Sequence, residues 1–343
     1  VSLMFLDTSI NMAMQPFKMM VGDMVNEKQK GLAYSIQSFL CNAGSLVGFL
    51  FPFIFTWIGI SNIAPQGVVP DSVIYSFYIG AAILILCVIY TTVKVKEMPP
   101  AEYAEYHGIT EEEKKEKINM VKLLVKAPKA FWTVGLVQFF CWFAFMFMWT
   151  YTNGTVALNV FDTPTVETMA EGTAKVVLDT QSIQYQNAAD WVGVLFAVQA
   201  IGSVLWAVCI PMFKNRKLIY SLSLVLGGIG FISTYFVHNQ YVLFISFLLI
   251  GCAWAAMLAL PFTILTNALS GGHMGTYLGL FNGTICIPQI VAATLGGSIL
   301  ALFTPKGMLP PEINMLVMAG VMLIIGAVCV YLIKETKGEQ AKA

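Results

Sequence analysis

The sequence predicts an all-α integral membrane protein, and three observations carry that prediction. Hydrophobic residues make up 57% of the 343 and charged residues 11%, with a mean hydropathy of +0.74. A soluble domain carries about 25% charged residues, so most of this chain belongs in lipid. The apolar text falls into nine runs near 1–22, 32–59, 73–93, 130–152, 189–213, 218–237, 241–265, 275–303 and 313–333, each long enough to cross a bilayer as a helix of about 20 residues. Lysine-rich and lysine-poor connections alternate between the runs, as they do on opposite sides of a membrane.

The first run, VSLMFLDTSINMAMQPFKMM, sets Asp7, Asn11 and Lys18 on one helical stripe. An ionisable group in hydrocarbon is costly and takes its place in a wet or protein-lined interior, where it serves transport. The alternative for Lys18 is that it snorkels to the headgroups. After this run come Lys28 and Lys30, whereas 60–72 has neither Lys nor Arg. Eight lysines lie in 94–129, only Lys175 in 153–188, and Lys214-Asn215-Arg216-Lys217 fills the next connection. The link 238–240 is uncharged apart from His238, Lys306 is the one base in 304–312, and the tail holds Lys334, Lys337 and Lys342. Only 266–274 is silent. The pattern places Val1 outside and Ala343 in the cytoplasm of a plasma (inner) membrane. Asp23, Lys28 and Arg216 then fall on the cytoplasmic side, as candidates for a latch that holds one closed state.

Residues 94–129 form a break in composition. Thr110 and Glu113 make a capping box, Glu111–Lys115 and Glu113–Lys117 are i,i+4 pairs, and Ile118, Val121, Leu124 and Val125 form an apolar stripe. This is the pattern of a linker that includes a helix on the inner membrane surface. The chain therefore divides into a bundle over 1–93, a linker over 94–129 and a six-helix bundle over 130–343. Asp190-Trp191 opens the run at 189, where the macrodipole alone suffices to explain the acid. Pro52, Pro211, Pro261 and Pro288 fall within runs or at their ends and predict broken or closely packed helices.

A formal net charge of zero argues against nucleic acid as a partner. The seven cysteines are scattered without a C-x-x-C pair, and the three histidines lie in connections, so neither a disulfide framework nor a metal site is expected. No cofactor is called for. No Ser/Lys, Asp/Asp or His-Glu constellation lies at membrane depth, so an enzyme is not expected.

A repeat links the two halves. Pro16-Phe17 meets Pro261-Phe262 at an offset of 245, and at the same offset Gly31 meets Thr276, Leu32 meets Tyr277 and Gln37 meets Asn282. Parallel repeats of this kind are the arrangement of major facilitator halves around a central cavity. The run near 130 then needs a counterpart before residue 1. The expected architecture is a major facilitator fold in three plus six helices, with about 115 residues and the first three helices missing from this chain.

The stretch FLDTSINMAMQPFKMMVGDMVNEKQKGLAYSIQSFLCNAGSLVG resembles the fourth and fifth helices of sugar/cation symporters related to plant sucrose transporters, most of all their bacterial maltose and malto-oligosaccharide branch. The family signature LD-x-x-x-N-x-x-x-x-P-[FC]-[RK] is matched by Leu6, Asp7, Asn11, Pro16, Phe17 and Lys18, and a further acid by Asp23. Residues 139–152, 252–269 and 275–297 resemble the family's seventh, tenth and eleventh helices. The resemblance implies that Asp7 takes up and releases the coupling proton and that Lys18, usually arginine in relatives, tunes it. Where the plant transporters carry two aspartates in the seventh helix, this chain has Trp149 and Tyr151, which argues against sucrose.

Sugars are gripped at their hydroxyls by amides and covered on their C–H faces by aromatic rings. The amides in the runs are Asn11, Gln37, Asn42, Gln138, Gln199, Asn282 and Gln289, and the aromatic candidates are Trp142, Trp149, Trp206 and Trp254. Each amide has a second reading as interhelical glue, and Trp149 and Trp206, near run ends, one as interfacial belt residues. The expected activity is proton-coupled symport of a maltose-type glucoside by a monomer in the lipid bilayer. The alternatives are sodium coupling and a membrane sensor that binds sugar without moving it.

Overall fold

The computed structural model describes residues 27–61, 68–96, 120–170, 173–213, 215–268, 274–305 and 307–333, together with isolated positions before 27 and at 99 and 102. Its helices are α1 (Glu27–Trp57), α2 (Asp71–Lys94), the short α3 (Met120–Val125), α4 (Lys129–Asn159), α5 (Ile183–Cys209), α6 (Arg216–Ser233), α7 (Leu243–Ala268), α8 (Met274–Phe281), α9 (Gly283–Phe303) and α10 (Ile313–Cys329). Eight stretches are long and apolar enough to cross a membrane, and they coincide with the second to ninth runs read from the sequence. The first run, with Asp7, Asn11 and Lys18, lies almost entirely outside the described residues, as do Asp23 and most of the linker.

The core sits in the second half. In the apolar stretch of α4, 67% of residues are buried, against 6% in those of α1 and α2. The reason is legible in α4 itself: FWTVGLVQFFCWFAFMFMW is apolar on every face, and such a helix belongs in the middle of a bundle. It packs against α5, α7, α9 and α10, while α6 fills the space between α7 and α10. α1 lies along α5, where Phe49 and Phe196 bring their rings to 5.4 Å. At the far end of the bundle the short α3 is tied to α8, with the Tyr277 hydroxyl donating to the Leu123 carbonyl at 3.2 Å.

Helix–helix contact in lipid gains little from burying apolar surface, so close approach through small residues does much of the holding. Gly228 of α6 and Gly320 of α10 face one another: a Cβ on Gly228 would stand 2.9 Å from the Gly320 carbonyl oxygen, and one on Gly320 2.7 Å from that of Gly228. Both distances are too short for any side chain, so the two backbones are in contact.

Three features depart from the sequence reading. α4 runs to Asn159, two turns past the expected end at 152, because Tyr151 to Ala157 continue the apolar and small-residue pattern. The connection after it contains an antiparallel hairpin, Thr165–Ala170 paired with Thr173–Leu178, which a search for membrane runs passes over. α5 begins at Ile183, capped by Ser182 accepting from the Tyr185 N–H at 3.3 Å. Asp190 is therefore well inside the helix, and the first-turn dipole does not explain it. The prolines act as expected: Pro52, Pro261 and Pro288 lie inside α1, α7 and α9, and Pro211 in the 3-10 turn that ends α5. The eighth run is broken at Asn282 between α8 and α9, six residues before Pro288, whose missing N–H and bulky ring disturb the turn that begins at Thr284.

Replacing Gly320 by Leu forces the α6–α10 contact apart, and overpacking of this kind costs about 1–3 kcal/mol. The melting temperature in detergent is expected to fall for Gly320→Leu. It should hold for Gly80→Ala, where a Cβ meets nothing within 4 Å.

Candidate functional site

Beside the Phe49–Phe196 contact, α1, α4, α5 and α7 leave a small pocket with a cavity volume of about 40 Å³. It is lined by Asn42, Ser45 and Phe49 from α1, Met148 and Trp149 from α4, Gln199 and Ala200 from α5, and Trp254 from α7. The two carboxamides thus come from the adjacent α1 and α5, and the two indoles from α4 and α7. No ionisable side chain is among these lining residues. Such a mixture of flat apolar faces with a few placed amides suits a neutral ligand with several hydroxyls.

The tryptophans form one cluster. Trp149 and Trp254 meet edge to face at 5.8 Å, Trp142 meets Trp254 at 5.8 Å and Trp149 at 6.4 Å, and Phe145 closes on Trp254 at 4.9 Å. Spacing by seven on α4 puts Trp142 and Trp149 on one face, two turns apart. They differ in exposure: Trp149 is 39% exposed and Trp142 8%. Trp149 keeps an exposed ring and Trp142 lies buried beside it, its Nε1 having no hydrogen-bond partner among the described residues. Because α4 is two turns longer than the run suggested, Trp149 lies ten residues inside its end.

The other candidates separate cleanly. Gln138 is fully buried, its Nε2 donating to the Met257 carbonyl at 3.3 Å and its Oε1 accepting from the Tyr220 hydroxyl at 3.4 Å. Both ends of this amide are used to join α4 to α7 and α6, so Gln138 is interhelical glue and not a ligand contact. Trp206 is likewise committed, donating to Ser223 Oγ at 2.8 Å. Asn282 occupies the break between α8 and α9, its Nδ2 3.8 Å from Cys286 Sγ; neither it nor Gln289, half-buried on α9, is among the residues that line the pocket. Gln37 lies on α1 one turn before Cys41, and its buried Nε2 is unpartnered among the described residues. Arg216 is half-buried at the start of α6, which Asn215 caps by accepting from the Leu218 N–H at 3.1 Å. Lys28 lies in the first turn of α1. Asp23 and the side chain of Lys28 lie outside the described residues, and the expected latch of Asp23, Lys28 and Arg216 lies outside with them.

Reasoning from sequence missed Ser45, Phe49, Met148 and Ala200 as pocket walls. No local signal marks them, since each is an ordinary membrane-helix residue whose role comes from the packing of four helices.

Over residues 8–174 and 165–343 the chain matches the family model of the Major Facilitator Superfamily. No curated protein matches it.

Removing the Gln138 amide strands the Tyr220 hydroxyl and the Met257 carbonyl in the core, at about 1–3 kcal/mol. Gln138→Leu is therefore expected to lower the melting temperature and to leave ligand affinity at the wild-type value. Loss of affinity at unchanged stability would return Gln138 to the pocket.

Proposed function

The chain belongs to the major facilitator superfamily, a family of multi-pass membrane transporters and not of enzymes, and on that premise we propose that it imports a neutral sugar of the maltose or malto-oligosaccharide class together with a proton. The observation that supports the sugar is the pocket, where Asn42 and Gln199 supply amides, Trp149 and Trp254 supply ring faces, and none of the described lining side chains is charged. A polyol exchanges its hydration shell for such amides, and its C–H faces gain area against indole. A phosphorylated or carboxylated substrate would lack a counter-charge here.

Coupling is assigned to Asp7 by its place in the LD-x-x-x-N-x-x-x-x-P-F-K run. In this reading Asp7 takes up the coupling proton on the outer side and releases it inside. Protonation removes a charge that hydrocarbon penalises, and the halves then rock around the loaded pocket. Lys18, four helical positions on the same stripe from Met14, tunes that step through its own charge. The lysine-rich connections lie in the cytoplasm with the C-terminus, and the membrane is the plasma (inner) membrane. The sugar, the proton, the monomeric state and this orientation are parts of one reading, and transport measurements separate them.

In proteoliposomes of the full-length protein, Asp7→Asn is expected to abolish pH-driven uptake of labelled maltose while sparing exchange of sugar across the bilayer. Uphill uptake at the wild-type rate by this variant would remove Asp7 from the coupling, and a sodium-dependent uptake that ignores pH would replace the ion. Trp149→Ala is expected to raise the KM for sugar about tenfold or more, the scale of losing a central aromatic anchor.

A further inference from the structure

The lysine-poor end of the second bundle holds a carboxyl group that neither the sequence reading nor the pocket uses. Glu312 is the N-cap residue of α10, just outside the membrane-spanning stretch that starts at Ile313. An acid at this position ordinarily turns back to accept from the free N–H groups of its own helix. Here it makes no side-chain cap. Its carboxyl group instead occupies the space over Gly154 of α4 where a Cβ would stand, with both oxygens and Cδ in contact with that position. Only a glycine at 154 leaves this seat open.

The seat lies among three attachments of the end of α4. Tyr151, one turn before Gly154, presses its hydroxyl against Gly296 of α9, where an added Cβ would stand 2.6 Å away. Asn153 donates to the Tyr185 hydroxyl of α5 at 2.9 Å. Glu312 on Gly154 makes the third attachment, to α10. Just beyond it, α4, α7, α10 and the end of α6 leave a gap of about 10 Å³, lined in part by Thr152, Thr155, Asn159, Thr234 and Leu316. Thr155 Oγ1 and Asn159 Nδ2 are buried there without partners among the described residues. The α4–α10 interface at this end is therefore polar and incompletely filled, unlike the apolar packing at mid-helix.

We propose that Glu312 is a second proton-binding site of the protein, seated on Gly154, whose occupancy sets how firmly α10 holds the end of α4. The neutral carboxyl group fits the seat; the carboxylate is driven towards water and draws α10 off α4. Since α4 carries Trp142 and Trp149, the state of this site reaches the pocket wall. Tyr151 is the titratable group that faces Glu312 from α4. On the side of α9 the neighbour is Gly296, and Lys306, in the same connection as Glu312, lies outside the described residues. Burial pushes the Glu312 carboxyl up from 4.5 to about 7. An acid whose folded pKa is raised binds its proton more tightly in the folded state than in the unfolded one. Its contribution to stability is complete below about 4.5 and is lost as pH rises through about 7. The inference requires the fold alone, and neither sugar nor proton coupling.

The test is thermal unfolding of the full-length protein in detergent, from pH 5 to pH 8, for wild type, Glu312→Gln and Gly154→Ala. Glu312→Gln keeps the neutral shape, so it is expected to melt higher than wild type at pH 8 by roughly 2–4 °C or more, with the gap closing by pH 5. Gly154→Ala fills the seat and displaces the carboxyl group to water, so it is expected to lose the wild-type fall in melting temperature between pH 5 and pH 8. Parallel curves for wild type and Glu312→Gln, or a wild-type slope in Gly154→Ala, would overturn the proposal. Because no transport is read, this outcome is independent of whether the symport assignment survives.

Discussion

Everything in this structure depends on one helix being buried on all sides. α4 is apolar around its whole circumference, and the only place such a helix can rest is against other helices. α5, α7, α9 and α10 surround it, and in doing so they fix where its few polar and aromatic groups can point. Gln138 is spent on tying neighbours together. Trp142 is pressed under Trp254. Trp149 alone of the three keeps an exposed face towards the gap beside α1 and α5. A central helix with one functional face and three structural faces is a means of passing movement from the end of the bundle to the pocket.

Lipid enforces the rest. Between helices in hydrocarbon there is no water to expel, so affinity comes from close contact and from polar groups that find each other. The glycine contact of α6 with α10 supplies the first. The Gln138 amide and the Ser233–Ser246 hydroxyl pair, 2.8 Å apart, supply the second. Polar atoms that have not been satisfied in this way then stand out among the described residues: Trp142 Nε1 beside the tryptophan cluster, Thr155 Oγ1 and Asn159 Nδ2 towards the end of α4, and others on Gln37, Asn153, Thr163 and Ser203.

The spans were legible in the sequence because composition decides whether a segment enters lipid, and eight of the nine runs reappear as helices of matching position. Helix ends were less so. Residues 153–159 carry Asn, Gly and Thr, which read as a loop, yet α4 continues through them because neighbouring helices bury them. The same kind of error misplaced Asp190, since the turns of α5 before it are polar. The pocket was legible only in its chemistry. Gln138 and Gln199 are both amides in apolar helices, and nothing in their neighbours distinguishes glue from ligand contact; the answer lies in which helix face meets which partner. Glu312 gave no signal at all, for an acid at a helix start is ordinary, and its position matters only because a glycine more than a hundred residues earlier leaves room for it.

The central claim is that a pocket without charge, walled by indoles and amides, carries a neutral sugar against its gradient at the expense of a proton gradient. Its most direct test is the accumulation of labelled maltose in sealed proteoliposomes under an imposed inward proton gradient and no other driving force. Sugar should rise above its outside concentration and leak back when a protonophore is added. Equilibration without accumulation, or no flux of sugar at all, would contradict it.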